Sequence, residues 1–584
     1  MNHKRNKNIL GICLGHGDSS AALVVNNRLV AAAEEERFNR IKHYALFPRN
    51  AIAYCLEAAG LTPLDIDIVA YPRDPFRGFL QKLKLGLQHP NLIMERRGQG
   101  QRKQRPLKEM LDEMGLGHSK FIKVEHHLAH LYSARYLSSH EKLAMLSFDG
   151  LGDFVSTAFG KADGTQIKIF DRKYFPHSVG FFYSALTHFL GFPYFGDEFK
   201  VMGLSSYGEP EFLPQMRKII IDDGEYDFKI NLEYLPILTQ PIKYRIEGGQ
   251  PYIDPFYDEK KLSQLLGLSK RVPKSEILQV HKNLAKSVQA RFEEVANRQL
   301  HKLYHKTQLD YLALAGGCSH NSVWVGQIPK NTPFKEVLVA PASHDAGISV
   351  GAAISATGHW VAVERAHWAL TGPSPSKQTR DPIPSDAKLN RKDFETEENL
   401  ASWLANELSQ GKIAGLYRGP MEFGPRALGN RSIIADPRSA SMRDRLNIRV
   451  KHRETFRPFA ASVLWEKQGD WFEDSFYAPT MEAVFTVRKE ARDKIAAVCH
   501  ADNTCRIQSV TRETQSFYWS LIDNFRKITG VPMLINTSFN DSEPIVCSET
   551  DAIRCFLESD LDHLVIENRV YTKTKQVSKV ALTG

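Results

Sequence analysis

Short apolar segments separated by polar turns fill the first seventy residues. NILGICLG, SAALVV and LVAAAEEER each suit one strand, and Asn26-Asn27 tolerates the left-handed backbone of a tight hairpin between the last two. Apolar positions from Asn50 to Ala59 then recur at helical spacing and end at Gly60, before DIDIVAYP returns as a strand. The pattern predicts a β-β-β-α-β opening.

Three later segments read as buried strands that end in Asp- or Gly-containing turns: KLAMLSFDG, YLALAGGCSHN and VLVAPASHDAG. Strand ends are where α/β folds usually place their ligands. From 371 to 386 the chain holds four prolines without apolar periodicity, which predicts an extended linker between domains at 1–370 and 387–584. The second domain reads as α/β, with a helix in ENLASWLANELSQGK, a strand in IAGLYRG and a late strand VPMLIN before a polar loop TSFN.

Composition narrows the class of protein. A chain of 584 residues with 42% hydrophobic content can build several cores, and it lacks an apolar run of the ~20 residues that a membrane span needs. The basic N-terminus has no signal-peptidase-like site, so we expect a cytoplasmic protein with no membrane partner. Seven scattered cysteines, never in C-x-x-C spacing, predict neither a disulfide framework nor a zinc ribbon.

Positive charge is concentrated in two stretches of a chain whose net charge is +9. Residues 82–108 carry eight Lys/Arg against Glu95, and residues 426–457 carry nine against three acidic residues. The first stretch is rich in Gln and Gly and predicts an exposed basic loop. The pattern suits small anionic ligands at least as well as nucleic acid.

The motif HHLAH indicates a metal site. On a helix, His126 and His130 project from one face, and Asp149 and Asp345 at strand ends are candidate oxygen ligands. The metalloprotease motif fails because His127 stands where its Glu would be. Two His plus a carboxylate suit Fe²⁺, Zn²⁺ or Mn²⁺. The alternative is that these histidines line an ordinary helix.

Two glycine-rich loops follow predicted strands and suggest a nucleotide cradle. Their backbone N–H groups can approach phosphate oxygens, and a following helix N-terminus adds a favourable dipole. Neither loop is a P-loop, and ordinary turn glycines are the alternative. With Asp149 and Asp345 the layout matches the two-lobed ATP fold of actin and the sugar kinases; the candidate nucleotide-binding residues are Gly15, Asp18, Gly316, Gly317 and Asn321.

A third group of residues lies beyond the predicted linker. Its arginines are interspersed with glycine, proline and phenylalanine, which favours an enclosed site for a compact polyanion over a surface ion-pair network. The candidate residues for this site are Arg426, Lys451, Arg457, His500, Arg506, Asn536, Ser538 and Asn540.

These motifs occur together and in order over nearly the whole chain: AALVVNNRLVAAAEEERF, VEHHLAH, SFDG, VMGLSSYG, LAGGCSHN, MEFGPRALGNRSIIADPR, KHRETFRPFA and NTSFNDSEPIV. In this the chain resembles the O-carbamoyltransferases of the nodulation-factor and antibiotic-tailoring family. The resemblance implies an actin-like domain similar to the tRNA threonylcarbamoyl-transfer enzymes, followed by a YrdC-like α/β domain.

The resemblance also implies a two-step reaction. The second domain would use carbamoyl phosphate and ATP, with Mg²⁺, to form carbamoyl-adenylate. Arg426, Lys451, Arg457 and Arg506 would grip the anionic groups, while Asn536, Ser538 and Asn540 would position the carbamoyl moiety. The first domain would transfer it to a hydroxyl of a small natural product beside a metal held by His126, His130 and Asp345, with Asp149 nearby; Fe²⁺ is the metal that the resemblance favours.

The candidate catalytic groups are His16, His127 and Asp149. An imidazole can serve as base for the acceptor alcohol. The family pattern places His directly before Asp, whereas this chain reads His16-Gly17-Asp18. That departure puts the role of His16 in doubt.

Two other functions compete. A tRNA-modifying enzyme that makes threonylcarbamoyl-adenylate from threonine, bicarbonate and ATP would use the basic stretch 82–108. A nucleotide-switched binding protein on an actin-like scaffold would need neither the histidine pair nor the arginine group. Under the favoured hypothesis nucleic acid is not a partner, and a homodimer stays open.

Overall fold

The same strand order occurs twice in the first part of the computed structural model, which describes residues 7–89, 105–358, 363, 365–375 and 389–573. One sheet has the order β3-β2-β1-β4-β5 and another the order β8-β7-β6-β13-β14. The strands are β1 (Ile9–Cys13), β2 (Ser20–Val25), β3 (Arg28–Glu34), β4 (Ile68–Tyr71), β5 (Lys120–Lys123), β6 (Lys142–Gly152), β7 (Val155–Asp163), β8 (Gln166–Tyr174), β9 (Ile220–Asp223), β10 (Asp227–Ile230), β11 (Tyr244–Glu247), β12 (Gln250–Ile253), β13 (Tyr311–Ala315) and β14 (Glu336–Val339).

In both sheets three antiparallel strands are followed by two parallel ones. This duplication confirms the predicted α/β class and the two-lobed, actin- and sugar-kinase-like arrangement. The predicted opening is also confirmed, because Asn26 and Asn27 both have positive φ (52° and 61°) in the β2–β3 turn and a helix covers Arg49–Ala58.

The chain divides into two compact units, Met1–Trp368 and Ala369–Gly584. Of the predicted linker, residues 376–386 lie outside the described residues. The helices up to the division are Glu36–Asn39, Arg49–Ala58, Phe79–Gln88, Leu107–Glu113, His126–Arg135, Val179–Phe189, Glu198–Leu204, Leu213–Ile219, Glu259–Leu266, Gln279–Thr307, Ser322–Asn331, Ile348–Thr357 and Arg365–Ala369.

The helix Ile348–Thr357 is the centre of the N-terminal unit. It packs on β1, β2 and β4 and on the helix His126–Arg135. A Cβ on Gly351 would lie 1.8 Å from the carbonyl oxygen of Ala129, so only glycine permits this approach of the two helices. The contact fixes the histidine-bearing helix against the segment that follows Asp345.

The C-terminal unit is built on one mixed sheet with the order β15-β23-β22-β16-β17-β21-β18-β20-β19. Its strands are β15 (Leu389–Asp393), β16 (Ala414–Tyr417), β17 (Arg431–Ala435), β18 (Ala460–Leu464), β19 (Ala483–Thr486), β20 (Thr504–Val510), β21 (Met533–Ser538), β22 (His563–Ile566) and β23 (Arg569–Lys573). Its helices are Glu397–Ser409, Ala440–Arg445, Trp465–Gln468, Ser516–Thr529 and Glu549–Glu558, with a short π-helix at Leu446–Val450.

The late strand is longer than predicted. Thr537 and Ser538 continue β21 because they pair with Ile433 and Ser432 of β17, so the polar loop begins only at Phe539. All seven cysteines are free, as the sequence predicts. Within the described residues, every helix is too short or too polar to cross a bilayer.

Candidate functional site

The helix His126–Arg135 presents two imidazoles on one buried face. Its start is fixed twice: the Glu125 side chain accepts a hydrogen bond from Leu128 N at 3.2 Å, and Asp153 Oδ2 accepts one from His126 N at 2.9 Å. His126 and His130 are fully buried, and their Nε2 atoms stand 3.1 Å apart. The predicted i, i+4 pair is therefore formed.

Asp149 and Asp345 complete a four-residue cluster. The Nε2 of His126 lies 3.4 Å from Asp149 Oδ2 and 3.5 Å from Asp345 Oδ1, and the Nε2 of His130 lies 3.9 and 3.4 Å from the same two atoms. Four ligands about 2.1 Å from one ion in tetrahedral geometry stand about 3.4 Å apart. The four residues can therefore hold a single metal ion.

Charge in the cluster also favours a cation. Burial opposes protonation of His126, but Asp345 and Asp149 outweigh it and raise its pKa to about 9. Burial likewise favours the neutral form of Asp149, yet the hydrogen bond from His126 and the nearby imidazoles hold the pKa of Asp149 well below its usual range. Against the effect of burial, His126 and His130 likewise hold the pKa of Asp345 below its usual value, so both carboxylates stay ionised, and metal binding would displace the proton from His126.

Of the predicted catalytic imidazoles, that of His127 has both ring nitrogens hydrogen-bonded within the protein. Its Nδ1 contacts Ser147 Oγ and its Nε2 contacts the carbonyl of Val155, both at 2.8 Å. Burial and the neighbouring histidines lower its pKa to about 3. With both ring nitrogens engaged, His127 has no atom to offer a substrate, which argues against the predicted catalytic role.

His16 lies beside the metal cluster on its accessible side. Its Nδ1 is 3.6 Å from Asp345 Oδ2, its ring is 5.5 Å from that of His126, and its side chain is 36% exposed. Burial lowers its pKa, against the opposing effect of Asp345. A neutral imidazole next to the cluster can accept a proton.

The two glycine-rich loops use their backbone amides within the protein. Gly15 N donates to Ala45 O, Gly316 N to Ser343 O and Gly317 N to Asp149 Oδ1 at 2.7–2.9 Å. Asn321 caps the helix Ser322–Asn331 by accepting from Trp324 N. The first loop leads into β2, so a helix dipole follows only the second, and nucleotide binding by these loops stays a prediction.

Sequence reasoning missed a second charged cluster next to the first. Asp18, predicted as a nucleotide ligand, has φ 64° and its Oδ1 contacts His43 Nδ1 at 2.8 Å, with Glu36 close by. Burial opposes it, but Asp18 raises the pKa of His43 to about 9. Arg37 pairs with Glu34 and Glu36, so much of this cluster is internally neutralised. The run EEER after a buried strand was the available signal.

In the C-terminal unit, one face of the sheet carries a row of polar side chains. Arg506 of β20 pairs with Ala460 of β18, which pairs with Asn536 of β21, so Arg506 and Asn536 share a face. Asn536 Nδ2 donates to Ser462 Oγ and Gln508 Oε1 at 2.9–3.0 Å. Within the part of the chain described, the buried Nε of Arg506 has no hydrogen-bond partner.

Three further guanidinium groups converge on Arg506. Burial and the proximity of Arg506 hold the pKa of Arg426 well below its usual range. The same holds for Arg453, where burial is the largest cause and Arg457 and Arg506 add to it. The prediction did not include Arg453, whose Nε donates to Asn447 Oδ1 at 2.8 Å and whose guanidinium lies 4.6 Å from the Phe459 ring centre.

Among the described residues, the carboxylate near this arginine group is that of Glu454. The carboxylate Glu454 Oε2 lies 3.8 Å from Arg457 Nη1 and is more exposed than its partner. Several half-buried guanidinium groups with this little opposing charge among the described residues have the chemistry that suits a polyanion, and a polyanion site here stays a prediction.

Lys451 and His500 have structural partners. Lys451 Nζ donates to Ser538 O, Asn540 O and Asn540 Oδ1 at 2.6–2.7 Å, so it anchors the loop after β21. His500 contacts Thr504 Oγ1 at 3.1 Å and Phe459 O at 3.4 Å, and burial lowers its pKa to about 4. Ser538 Oγ donates to Asn540 Oδ1 at 2.8 Å. The contacts of these predicted ligands are thus with one another or with the backbone, and their role as ligands stays a prediction.

Two family models match most of the chain. The family described as "Carbamoyltransferase N-terminus" matches residues 8–77 and 102–354, and "Carbamoyltransferase C-terminus" matches 405–573. Nodulation protein NolNO of Sinorhizobium fredii is 36% identical over 95% of this chain and 79% of its own, and the protein sll1178 of Synechocystis sp. is 35% identical over 97% of both. Among solved structures, HypF of T. kodakarensis aligns with a TM-score of 0.30 and 14% identity over 60% of this chain and 47% of its own.

Proposed function

This chain belongs to the carbamoyltransferase family, and from that premise we propose that it is an ATP-dependent O-carbamoyltransferase with a charge-segregated pair of sites. Carbamoyl phosphate, ATP and one water give carbamoyl-adenylate, phosphate and pyrophosphate. The carbamoyl group then passes to the hydroxyl of a small molecule, which yields a carbamate ester and AMP.

We propose that the C-terminal unit is YrdC-like and that its arginine group serves the first half-reaction. Carbamoyl phosphate and the phosphates of Mg·ATP together carry several negative charges, and guanidinium groups hold phosphate oxygens bidentately. Arg426, Arg453, Arg457 and Arg506 would neutralise this charge. Lys451 and Asn540 would keep the adjoining loop in place.

The metal cluster of the N-terminal unit is assigned to the second half-reaction. His126, His130, Asp149 and Asp345 would hold a divalent ion, which when bound would supply Lewis-acid stabilisation of the charge on the departing AMP. Fe²⁺ is the ion that the family resemblance favours, with Zn²⁺ or Mn²⁺ as alternatives. The burial of His126 and His130 would limit the access of water to a readily hydrolysed anhydride.

His16 is assigned the proton of the acceptor hydroxyl. It is the accessible neutral imidazole beside the cluster, and its Nδ1 faces Asp345 Oδ2 at 3.6 Å, which would stabilise the imidazolium once formed. His127 would instead brace the histidine-bearing helix against β6 and β7 through Ser147 and Val155.

The observation that carries the proposal is the convergence of four guanidinium groups with little opposing carboxylate, in a chain of this family. In the test, the protein is incubated with ATP, carbamoyl phosphate and a panel of alcohols. Mass spectrometry then detects alcohols whose mass has increased by one CHNO unit. Carbamate formation that requires carbamoyl phosphate supports the proposal. Pyrophosphate release that requires threonine and bicarbonate instead would refute it.

A further inference from the structure

Three side chains of the second charged cluster are each held by a partner through one polar atom. They come from separate parts of the chain, since Asp18 lies in the first glycine-rich loop, Glu34 ends β3 and His344 precedes the turn at Asp345. The held atoms are Asp18 Oδ1, 2.8 Å from His43 Nδ1; Glu34 Oε2, 2.5 Å from Arg37 Nη2; and His344 Nδ1, 3.0 Å from His320 Nε2. Each partner fixes the orientation of the side chain that it holds.

The second polar atoms of these three side chains face one another. His344 Nε2 lies 3.8 Å from Asp18 Oδ2 and 3.6 Å from Glu34 Oε1. Both distances are too long for a hydrogen bond. Glu34 is 2% exposed, and within the described part of the chain its Oε1 has no hydrogen-bond partner. A buried carboxylate oxygen without a donor is costly, so Glu34 Oε1 points to a ligand.

The three facing atoms have the chemistry of a cation site. Two carboxylate oxygens and one imidazole nitrogen suit Mn²⁺ or Zn²⁺. Atoms that bind one such ion at about 2.1 Å in tetrahedral geometry stand about 3.4 Å apart, which is near the two observed separations. A proton shared between Glu34 and His344 would instead draw their facing atoms to about 2.8 Å. His43, Arg37 and His320 supply the outer contacts that orient metal ligands.

We propose that Asp18 Oδ2, Glu34 Oε1 and His344 Nε2 bind a second divalent cation, distinct from the one that the four-residue cluster would hold. The two sites adjoin along the chain, because His344 comes directly before Asp345 and the two side chains belong to different sites. Asp18, which was predicted as a nucleotide ligand, is thereby assigned to a cation. The proposal rests on these contacts and holds whichever reaction the chain catalyses.

The test counts the Mn²⁺ ions that the full chain binds, by electron paramagnetic resonance of the unbound ion. The wild type should bind one equivalent more than Glu34→Gln, which removes the charge of a ligand and keeps its size. His130→Ala should lose a different equivalent, so the double variant should lose two. Glu35→Gln is the matched control, because Glu35 is also 2% exposed but its oxygens accept from Asn50 Nδ2 and Ala51 N. Its Mn²⁺ count should equal that of the wild type.

Two results would overturn the proposal. One is an equal Mn²⁺ count in the wild type and Glu34→Gln, which would leave a proton between Glu34 and His344 instead of a cation. The other is a double variant that loses no more Mn²⁺ than His130→Ala does, which would mean that both groups of residues bind a single ion. If Glu34→Gln fails to fold, Asp18→Asn replaces it, because asparagine tolerates the φ of 64° at that position. The same loss of one equivalent is expected.

Discussion

The two candidate sites differ in the charge that they gather, since the first gathers carboxylates and imidazoles and the second gathers guanidinium groups. In the N-terminal unit, two ionised carboxylates and two imidazoles point at one small volume. In the C-terminal unit, guanidinium groups gather with Glu454 as the nearby carboxylate. A concentration of like charge is costly to bury, so a ligand of the opposite sign would stabilise each site. The contrast supports our proposal of a cation at the first site and a polyanion at the second.

Removing a metal ligand should have the largest effect. His130→Ala deletes one of the four ligand atoms, so we expect loss of stoichiometric metal and a fall in carbamate formation of about a thousandfold, since a Lewis acid contributes several kcal/mol. Metal content is measured by inductively coupled plasma mass spectrometry. His140→Ala is the control, because His140 also pairs with a carboxylate, Glu336, but outside the cluster. Full metal content in His130→Ala would show that the four-residue cluster does not bind the metal.

Removing one guanidinium should impair the other site alone. Arg506→Ala should weaken carbamoyl phosphate binding about a hundredfold, because one charge-assisted anchor is lost and the remaining guanidinium groups are left poorly placed. Titration calorimetry measures the affinity, and metal content should stay unchanged. The control Arg554→Ala removes an exposed arginine paired with Glu543. Equal affinities in the two variants would contradict a polyanion site at Arg506.

Substitution of Lys451 tests whether this lysine binds the anion or stabilises the fold. Lys451→Met leaves the carbonyls of Ser538 and Asn540 without their donor, so the free energy of unfolding should fall by about 3 kcal/mol. Urea denaturation measures this loss, with exposed Lys467→Met as control. A variant that kept its stability but lost anion affinity would make Lys451 a ligand after all.

Gly152 tests how tightly the fold places His126. A Cβ at Gly152 would lie 2.0 Å from Cδ2 of the His126 ring, so Gly152→Ala must displace the imidazole. Metal affinity should fall about 10- to 100-fold, as it does when the groups that orient a ligand are changed. Competition with a chelator measures the affinity. Gly150→Ala is the control, because a Cβ there meets open space.

His500 should matter least. Its pKa of about 4 keeps the imidazole neutral above pH 5.5, so it adds no charge to the polyanion site at neutral pH. His500→Gln should change carbamoyl phosphate affinity by less than about threefold, and the ratio of the two affinities should not vary between pH 6 and 8. A ratio that grew as the pH fell through 6.5 would show a protonated His500 acting on the anion.

The parts of this picture that depend on local periodicity could be predicted from sequence. The spacing of His126 and His130 and the position of Asp345 after a buried strand are read from neighbours along the chain. The roles of His127 and Lys451 could not be read this way. The partners of His127, Ser147 and Val155, lie on the strands β6 and β7. The oxygens that accept hydrogen bonds from Lys451 belong to residues 87 and 89 positions away. Arg453 was missed for the same reason, because Arg506, whose charge helps to lower its pKa, is remote in sequence.

The most direct test measures pyrophosphate release from ATP, with and without carbamoyl phosphate, in His130→Ala and Arg506→Ala side by side. We expect His130→Ala to release pyrophosphate at a rate within about threefold of the wild type while its carbamate product disappears, because we propose that the metal and polyanion sites serve different half-reactions. We expect Arg506→Ala to lose both. Pyrophosphate release that survives in Arg506→Ala but fails in His130→Ala would contradict the assignment of the two sites.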